Sequence, residues 1–124
     1  MNRVAIVSAK RTAIGSFGGS LKDISAAKIG GELVKQALES INLNPNLVDE
    51  IIFGNVLQTG LGQNVARQIA VNAGIPKEKS AFVVNKVCGS GLKSVVLGVQ
   101  SILLGDNDVV VCGGVENMSA APHY

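Results

Sequence analysis

The sequence predicts an α/β fold in which helices cover both faces of a mainly parallel β-sheet. Short apolar runs alternate with longer segments whose apolar residues recur every three or four positions, in the order β-α-β-α-β-α-β. This alternation is typical of parallel strands joined by right-handed helical crossovers. The 124 residues are 47% apolar and only 3% aromatic, so we expect one domain with an aliphatic core.

Four apolar runs are predicted to be strands, because each is short and almost uninterrupted, as buried parallel strands are. They are Val4–Ser8, Glu50–Leu57, Ala81–Val87 and Asp108–Cys112. In a parallel sheet, ligands bind outside the carboxyl ends of the strands. The segments that follow Leu57, Val87 and Cys112 are therefore the predicted location of a functional site.

Three amphipathic segments between these runs are predicted to be helices, each with a recognisable start or stop signal. The first follows an N-cap at Ser25 and ends near Ser40 or Ile41, the second is Asn64–Ala73 with Gly74 behind it, and the third runs from about Cys88 to Leu104 before Gly105. Gly30 and Gly31 each lower the stability of the first helix by up to about 1 kcal/mol, unless close packing requires them.

The charge and composition exclude several classes of partner. The net charge is only +2, and the basic residues are scattered, without the basic stripe and interleaved aromatics of a nucleic-acid binder. No apolar stretch approaches the about 20 residues of a membrane span, and no signal peptide is visible. The two cysteines lack the spacing of a zinc site. We therefore expect a cytoplasmic protein that binds neither nucleic acid, membrane nor metal.

Cys88 lies where the third predicted strand passes into the third predicted helix, in the stretch VNKVCGSGLKS. Unpaired backbone N–H groups and the helix dipole at such a position lower the pKa of a thiol and favour its nucleophilic form. Gly89 and Gly91 lack a Cβ, so a substrate can approach closely, and backbone N–H groups of the turn can stabilise an oxyanion. This setting favours a covalent role for Cys88 over that of a small core residue.

The other candidate groups carry weaker signals. Cys112 follows an apolar run and is expected to be buried and unreactive, and His123 is interpreted as a solvated residue, so the thiol lacks a base. The glycines in TGLGQNVA and CGSGLKS match no phosphate-binding motif and are interpreted as turns. Glu116 and Asn117, in GGVENMSAAPHY, either form a wall of the active site or belong to a solvated strand exit.

Four segments of the chain resemble the thiolases, and more closely the biosynthetic acetyl-CoA acetyltransferases within that family. NKVCGSGLKSV is similar to the acyl-intermediate signature, with Cys88 at the nucleophile position. The other three are SAKRTAIGSFGGSL (Ser8–Leu21), GLGQNVARQIAVNAGIP (Gly60–Pro76) and CGGVENMSAAPH (Cys112–His123). The four segments occur in family order and span nearly the whole chain, which makes the resemblance specific.

The resemblance implies a fold of two similar βαβαβαββ halves. Residues 1–124 then form most of the N-terminal half, without its last strand, and end at the start of the CoA-binding loop domain. It also implies that an acyl-CoA loads its acyl group onto Cys88, and that a second acetyl-CoA attacks this thioester to give acetoacetyl-CoA, or the reverse thiolysis. The backbone N–H of Cys88 then contributes to an oxyanion hole, and Gly89 and Gly91 give the thioester room.

The resemblance further implies partners and a metabolic role. The CoA thioesters are substrates, no separate cofactor is expected, and the full-length enzyme is expected to be a homo-oligomer, a dimer or a tetramer, in fatty acid metabolism. The activating histidine, second cysteine and water-binding asparagine of the family lie in a C-terminal portion that this sequence does not match. We therefore expect a piece of a longer enzyme, or the remnant of a disrupted gene, that does not catalyse condensation alone.

Two alternative interpretations remain open from the sequence. A condensing enzyme of the ketoacyl-synthase type shares the fold and a cysteine at a helix start. A noncatalytic association fragment is the other, because a half sheet without its last strand leaves an open edge that can pair with another chain.

Overall fold

The computed structural model describes residues 3–123 and contains three parallel strands and three α-helices. The strands are β1 (Glu50–Gly54), β2 (Ser80–Val84) and β3 (Val110–Gly114), and the helices are α1 (Ala26–Glu39), α2 (Val65–Asn72) and α3 (Ser90–Leu104). A short 3₁₀ helix, Pro45–Leu47, leads towards β1. The predicted α/β class with a parallel sheet is confirmed, while the predicted domain end at residue 124 lies outside the described residues.

β1 is the central strand of the sheet, whose order is β2-β1-β3. Phe53 of β1 pairs with Val83 of β2 on one side and with Gly113 of β3 on the other. The same register holds from the first residue of each strand to the last, so all three carboxyl ends reach the same edge of the sheet. This edge is where parallel sheets bind their ligands.

Alternate residues of β1 face two different helical layers, because successive side chains of a strand point to opposite faces. Ile51 and Phe53 belong to the main hydrophobic core, which they share with α1 and α2. Ile52 lies on the other face, together with its β3 partner Cys112, whose Sγ packs against Gly98 of α3. The prediction of helices on both faces is therefore confirmed.

The two glycines of α1 are required by its contact with α2. A Cβ on Gly30 would lie 2.7 Å from Cδ1 of Ile69, and one on Gly31 would collide with the side chain of Asn72. Nδ2 of Asn72 also donates a hydrogen bond of 3.1 Å to the carbonyl of Ala27. Close packing of the two helices thus offsets the low helix propensity of glycine at these positions.

Three helix ends follow the signals that the sequence predicted, at Ser25, Gly74 and Gly105. Oγ of Ser25 accepts a hydrogen bond of 3.1 Å from the backbone N–H three residues further on. Asn64, predicted as the first residue of the second helix, is instead the N-cap of α2, and its Oδ1 accepts from the N–H of Arg67 at 3.0 Å. Gly74 and Gly105 follow the ends of α2 and α3 with φ of 84° and 83°, a conformation that favours glycine.

The prediction of a strand at Val4–Ser8 is wrong. Ile6 and Val7 are 77% and 69% exposed, and Oγ of Ser8 donates to the carbonyl of Ala37 in α1. Both edges of β1 are already occupied, and in the part of the chain that the structure describes no strand lies against the outer edge of β2 or of β3. An apolar run without a neighbouring strand has no ladder to join, so it stays irregular.

The strand boundaries also differ from the predicted ones. The predicted strands Glu50–Leu57 and Ala81–Val87 end at Gly54 and Val84 instead, and Asp108–Cys112 is shifted two residues towards the C-terminus. The shift has a local cause, because the carboxylate of Asp49 accepts both backbone N–H groups of Asp108 and Val109, each at 2.9 Å. These amides bind a side chain, and the ladder begins after them.

Helix α3 is apolar enough to raise the question of a membrane span. The 18 residues Val87–Leu104 have a mean hydropathy of 1.6 and meet the length and composition of a span, although only 17% of them are buried. Helices of folded cores meet the same criterion, and α3 packs against β1 and β3. The expectation that the protein binds no membrane stays a prediction.

The Asp49 carboxylate predicts a specific acid sensitivity. The backbone N–H groups of Val109 and Asp108 hold the pKa of Asp49 below its ordinary value of 3.8, with a smaller contribution from Lys79 at 3.7 Å. Because the folded state prefers the ionised form, this stabilisation is present above the ordinary pKa and is lost as the pH falls through the lowered one. We expect Asp49→Asn to be less stable at neutral pH and to lose less stability on acidification.

Urea unfolding at neutral pH and in steps below about pH 4 measures this difference. Asp106→Asn, a change at an exposed carboxylate beyond the end of α3, is the matched control. Its free energy of unfolding should depend on pH in the same way as that of the unsubstituted chain. Identical pH dependence in Asp49→Asn and in the control would contradict the prediction.

Candidate active site

Cys88 is exposed and lies in the turn between β2 and α3, at the carboxyl edge of the sheet. It lines a cavity of about 500 Å³ whose other walls come from the ends of the two neighbouring strands. The lining residues fall within 54–57, 87–91 and 114–118. The structure therefore brings together the three segments that the sequence predicted from the strand order.

Two polar side chains hold the turn that carries Cys88. Oδ1 of Asn85 accepts a hydrogen bond of 3.0 Å from the N–H of Val87. Oγ of the buried Ser90 accepts from the N–H of Lys86 at 2.7 Å and lies 2.6 Å from the carbonyl of Val87, to which it donates. Val87 has a φ of 49°, which is rare for a β-branched residue. This conformation is maintained because both flanks of Val87 are tied down.

Helix α3 begins at Ser90, two residues after Cys88, and the predicted start at Cys88 is wrong. The N–H of Gly89 donates to the carbonyl of Lys86 at 3.0 Å, so this amide closes the turn. Gly91 lines the cavity, where an added Cβ would meet only Cα of Gly114, at 3.8 Å. The geometry thus places Gly89 in the turn and Gly91 in the wall, while their part in catalysis stays a prediction.

The first turn of α3 rests directly on the end of β1. A Cβ on Gly54 would lie 2.5 Å from the carbonyl carbon of Ser90 and 2.6 Å from the nitrogen of Gly91. Oγ of the fully buried Ser94 lies 2.6 Å and 3.0 Å from the carbonyl oxygens of Gly91 and Gly113. Only glycine at position 54 permits this approach, which brings Cys88 beside the end of β1.

The carboxylate of Glu116 holds the segment that follows β1. Its Oε1 accepts from Nδ2 of Asn55 at 2.9 Å and from the N–H of Leu57 at 3.0 Å, and its Oε2 accepts from the N–H of Val56 at 3.0 Å. Nδ2 of Asn55 also donates to the carbonyl of Val115 at 2.9 Å. Of the two interpretations of Glu116, the structure therefore supports the wall of the cavity.

Asn117 points to a different part of the molecule from Glu116. Its Nδ2 lies 3.0 Å and 2.9 Å from the carbonyl oxygens of Lys22 and Ile24, in the segment before α1. Asn117 does not line the Cys88 cavity. The two neighbouring residues of the ENM sequence thus tie the end of β3 to two separate segments.

The other two candidate groups lie away from this cavity. Cys112, which was predicted to be buried and unreactive, is half-buried against α3, and desolvation raises the pKa of its thiol to about 11. His123 is exposed, and its ring contacts Phe17 edge to face with centroids 6.1 Å apart. Among residues 3–123, no histidine and no second cysteine line the cavity that contains Cys88.

Sequence reasoning missed the roles of Asn55, Asn85 and Ser90. Asn55 is 1% exposed and Ser90 is 4% exposed, so both are polar residues in the interior. Asn55 and Asn85 each follow an apolar run, as in FGNVL, where a strand ends and its last groups need hydrogen-bond partners. Ser90 follows Gly89 and carries no such signal.

Comparisons with known proteins agree with this geometry. The family profile described as "Thiolase, N-terminal domain" matches residues 4–124. The chain belongs to the thiolase family. Its fold also matches the Acat5 thiolase of Ascaris suum, solved in complex with coenzyme A, with a TM-score of 0.92 and 44% sequence identity over 94% of this chain and 31% of that one.

Two further relatives of this thiolase chain are named acetyl-CoA acetyltransferase. The protein of Cupriavidus necator is 54% identical over 99% of this chain and 31% of its own length, and that of Syntrophomonas wolfei is 53% identical over 96% and 30%. A probable acetyl-CoA acyltransferase of Staphylococcus aureus is 52% identical over 98% and 31%. The chain thus spans about 31% of the length of the relatives that it matches.

The close contact between α3 and β1 predicts a large difference in stability between two Gly→Ala substitutions. Gly54→Ala places a methyl group 2.5 Å from backbone atoms that cannot move without displacing the helix, so we expect a loss of about 1–3 kcal/mol in the free energy of unfolding. Gly91→Ala meets only an ordinary contact of 3.8 Å inside a helix, and we expect no loss. Chemical denaturation compares the two, and equal stability of both variants would refute this account of the contact.

The two thiols are expected to differ in reactivity. Near neutral pH, we expect iodoacetamide to modify Cys88 at least about tenfold faster than Cys112, because Cys112 is half-buried and its pKa of about 11 leaves almost no thiolate. Peptide mass spectrometry over time measures both rates. In urea the two rates should converge, and equal rates already in the folded chain would contradict the prediction.

Proposed function

We propose that this chain supplies the acyl-carrying cysteine of an acetyl-CoA acyltransferase, with Cys88 as the nucleophile. The reaction is the condensation of two acetyl-CoA molecules to acetoacetyl-CoA and CoA, or the reverse thiolysis. One observation carries the proposal: the exposed thiol of Cys88 opens into a cavity at the carboxyl edge of the sheet, in a chain of the thiolase family.

The proposed reaction has two half-reactions. In the first, the Cys88 thiolate attacks the carbonyl carbon of an acyl-CoA, the bond from this carbon to the CoA sulfur breaks, and CoA leaves with a proton as its thiol. In the second, acetyl-CoA loses an α-proton and its α-carbon attacks the acyl group on Cys88. A carbon–carbon bond forms, the bond to Cys88 breaks, and the thiolate is regenerated. The proposal assigns proton transfer to groups outside residues 3–123.

The turn around Cys88 suits this role. Asn85 and Ser90 hold it in place from both sides, so the thiol needs little reorganisation before attack. The backbone N–H of Cys88 is proposed as one donor to the oxyanion, while the N–H of Gly89 is occupied by the turn. Gly91 leaves room for the thioester in the cavity wall.

The nature of the substrate is supported by the relatives. The Ascaris suum thiolase was solved with coenzyme A, and the Cupriavidus necator and Syntrophomonas wolfei proteins are named for acetyl-CoA. We extend this to the present chain and propose CoA thioesters as substrates without a separate cofactor. A cytoplasmic location, a role in fatty acid metabolism and assembly into a dimer or tetramer are proposed on the family resemblance alone.

A chimera tests the proposal. Residues 1–124 replace the matching segment of the Cupriavidus necator relative, and acetoacetyl-CoA formation is measured alongside that unmodified relative. We expect activity in the chimera and a loss of at least about 10³-fold in Cys88→Ser, because the hydroxyl of serine is a far weaker nucleophile without its own base. Cys112→Ser serves as the matched control and should retain activity. Mass spectrometry should find an acetyl group on Cys88.

Two results would overturn this proposal. One is a folded chimera that forms no acetoacetyl-CoA while the unmodified relative does. The other is full activity in Cys88→Ser. If the chimera instead condensed acetyl groups with malonyl thioesters, the ketoacyl-synthase alternative would be the correct one.

A further inference from the structure

We propose that Glu116 is a positioning residue that sets the width of the cavity in which Cys88 receives its acyl group. The inference rests on the proposed function, because it concerns the acyl group that Cys88 accepts. Glu116 does not touch the reacting atoms in this account. It acts through the segment after β1, which forms the wall of the cavity beside Cys88.

Three hydrogen bonds meet at the carboxylate of Glu116. The two oxygens of Glu116 accept the backbone N–H groups of Val56 and Leu57 and the amide of Asn55, all within 2.9–3.0 Å. Hydrogen bonds to an ionised acceptor are about twice as strong as neutral ones. Within residues 3–123, Glu116 is the only acceptor that these two backbone N–H groups have, so the position of the segment depends on it.

The wall that Glu116 holds in place is largely apolar. The apolar residues Val56, Leu57 and Met118 line the cavity, and Leu57 and Met118 are 40% and 58% exposed. An apolar wall beside a thiol suits the hydrocarbon part of an acyl group. The distance of this wall from Cys88 then decides how long an acyl chain fits, since buried pockets discriminate between chains that differ by single methylene groups.

Asn55 anchors the beginning of the same segment to β2 and to the residue that follows β3. Asn55 is 1% exposed, its N–H donates to the carbonyl of Val84 at 3.1 Å, and its Nδ2 donates to the carbonyl of Val115 at 2.9 Å. The segment is therefore anchored at Asn55, and among residues 3–123 only Glu116 accepts the backbone N–H groups of Val56 and Leu57. Loss of the hydrogen bonds from Glu116 should therefore let Val56 and Leu57 move, while Asn55 keeps the end of β1 in place.

Glu116→Gln is the informative substitution. It keeps the size of the side chain but replaces one oxygen by an amino group, which cannot accept a hydrogen bond from a backbone N–H. At least one of the three bonds is lost and the charge assistance of the others disappears. We expect the wall to move outward, so that longer acyl groups gain relative to acetyl.

The experiment uses the full 124-residue chain and activated thioesters, the thiophenyl esters of acetic and hexanoic acid. These reagents acylate a thiol without a protein base, and mass spectrometry measures the rate at Cys88. Each rate is divided by the rate with iodoacetamide, which removes differences in intrinsic thiol reactivity. We expect Glu116→Gln to raise the ratio of hexanoyl to acetyl transfer by about threefold to tenfold.

Two further variants complete the test. Glu78→Gln changes an exposed carboxylate just before β2, at the opposite end of the sheet, and should leave the ratio unchanged. Leu57→Ala removes a wall side chain but keeps every hydrogen bond of Glu116, and should raise the ratio as Glu116→Gln does. Circular dichroism reports whether each variant is folded.

A ratio in folded Glu116→Gln within about twofold of the unsubstituted chain would overturn the inference, because a purely structural role would change all rates alike. If Glu116→Gln does not fold, Leu57→Ala decides, and an unchanged ratio there overturns the inference as well. The thioesters acylate any accessible thiol, so this ratio is measurable even if the chimera forms no acetoacetyl-CoA. The two proposals can thus fail separately.

Discussion

The contact between the first turn of α3 and Gly54 is the constraint on which the rest of the site depends. Any side chain at this position would push the helix away from β1, because backbone atoms of α3 lie where a Cβ would be. The same principle recurs along α3, where Gly98 lies on Cys112 and Gly91 lies against Gly114. Small residues on both sides let the helix approach the sheet, and the turn that carries Cys88 is thereby held beside the ends of β1 and β3.

This close approach leaves polar groups in the interior, and each of them is used to hold the site. Ser90 and Ser94 bind carbonyl oxygens around the start of α3, while the buried Asn55 binds the carbonyl of Val115 and the exposed carboxylate of Glu116 across the ends of β1 and β3. Buried polar groups cost free energy unless they are paired, so such a network is maintained only where the geometry satisfies it. The result is a rigid rim around an accessible thiol, whereas Cys112, on the sheet face that α3 covers, is half-buried and has a raised pKa.

Much of the fold could be predicted because its signals are local. Ser25 caps α1 through its own side chain, and Gly105 ends α3 through its own backbone, so sequence alone suffices for them. Val4–Ser8 shows where prediction from local sequence fails, because an apolar run becomes a strand only where a neighbouring strand is available to pair with it. The start of β3 could not be predicted locally either. It depends on Asp49, which accepts two backbone N–H groups about sixty residues further along the chain.

The sequence by itself determined the α/β class, the positions of the helices, and the placement of a cysteine at a strand-to-helix junction. Periodicity, capping residues and family motifs are all properties of neighbouring residues, so they can be read along the chain. Only the tertiary structure decided that Glu116 and Asn55 form one wall, that Asn117 faces another segment, and that Gly54 seats the helix. These relations join residues far apart in sequence, and their energies depend on distances that exist only once the sheet and α3 have packed together.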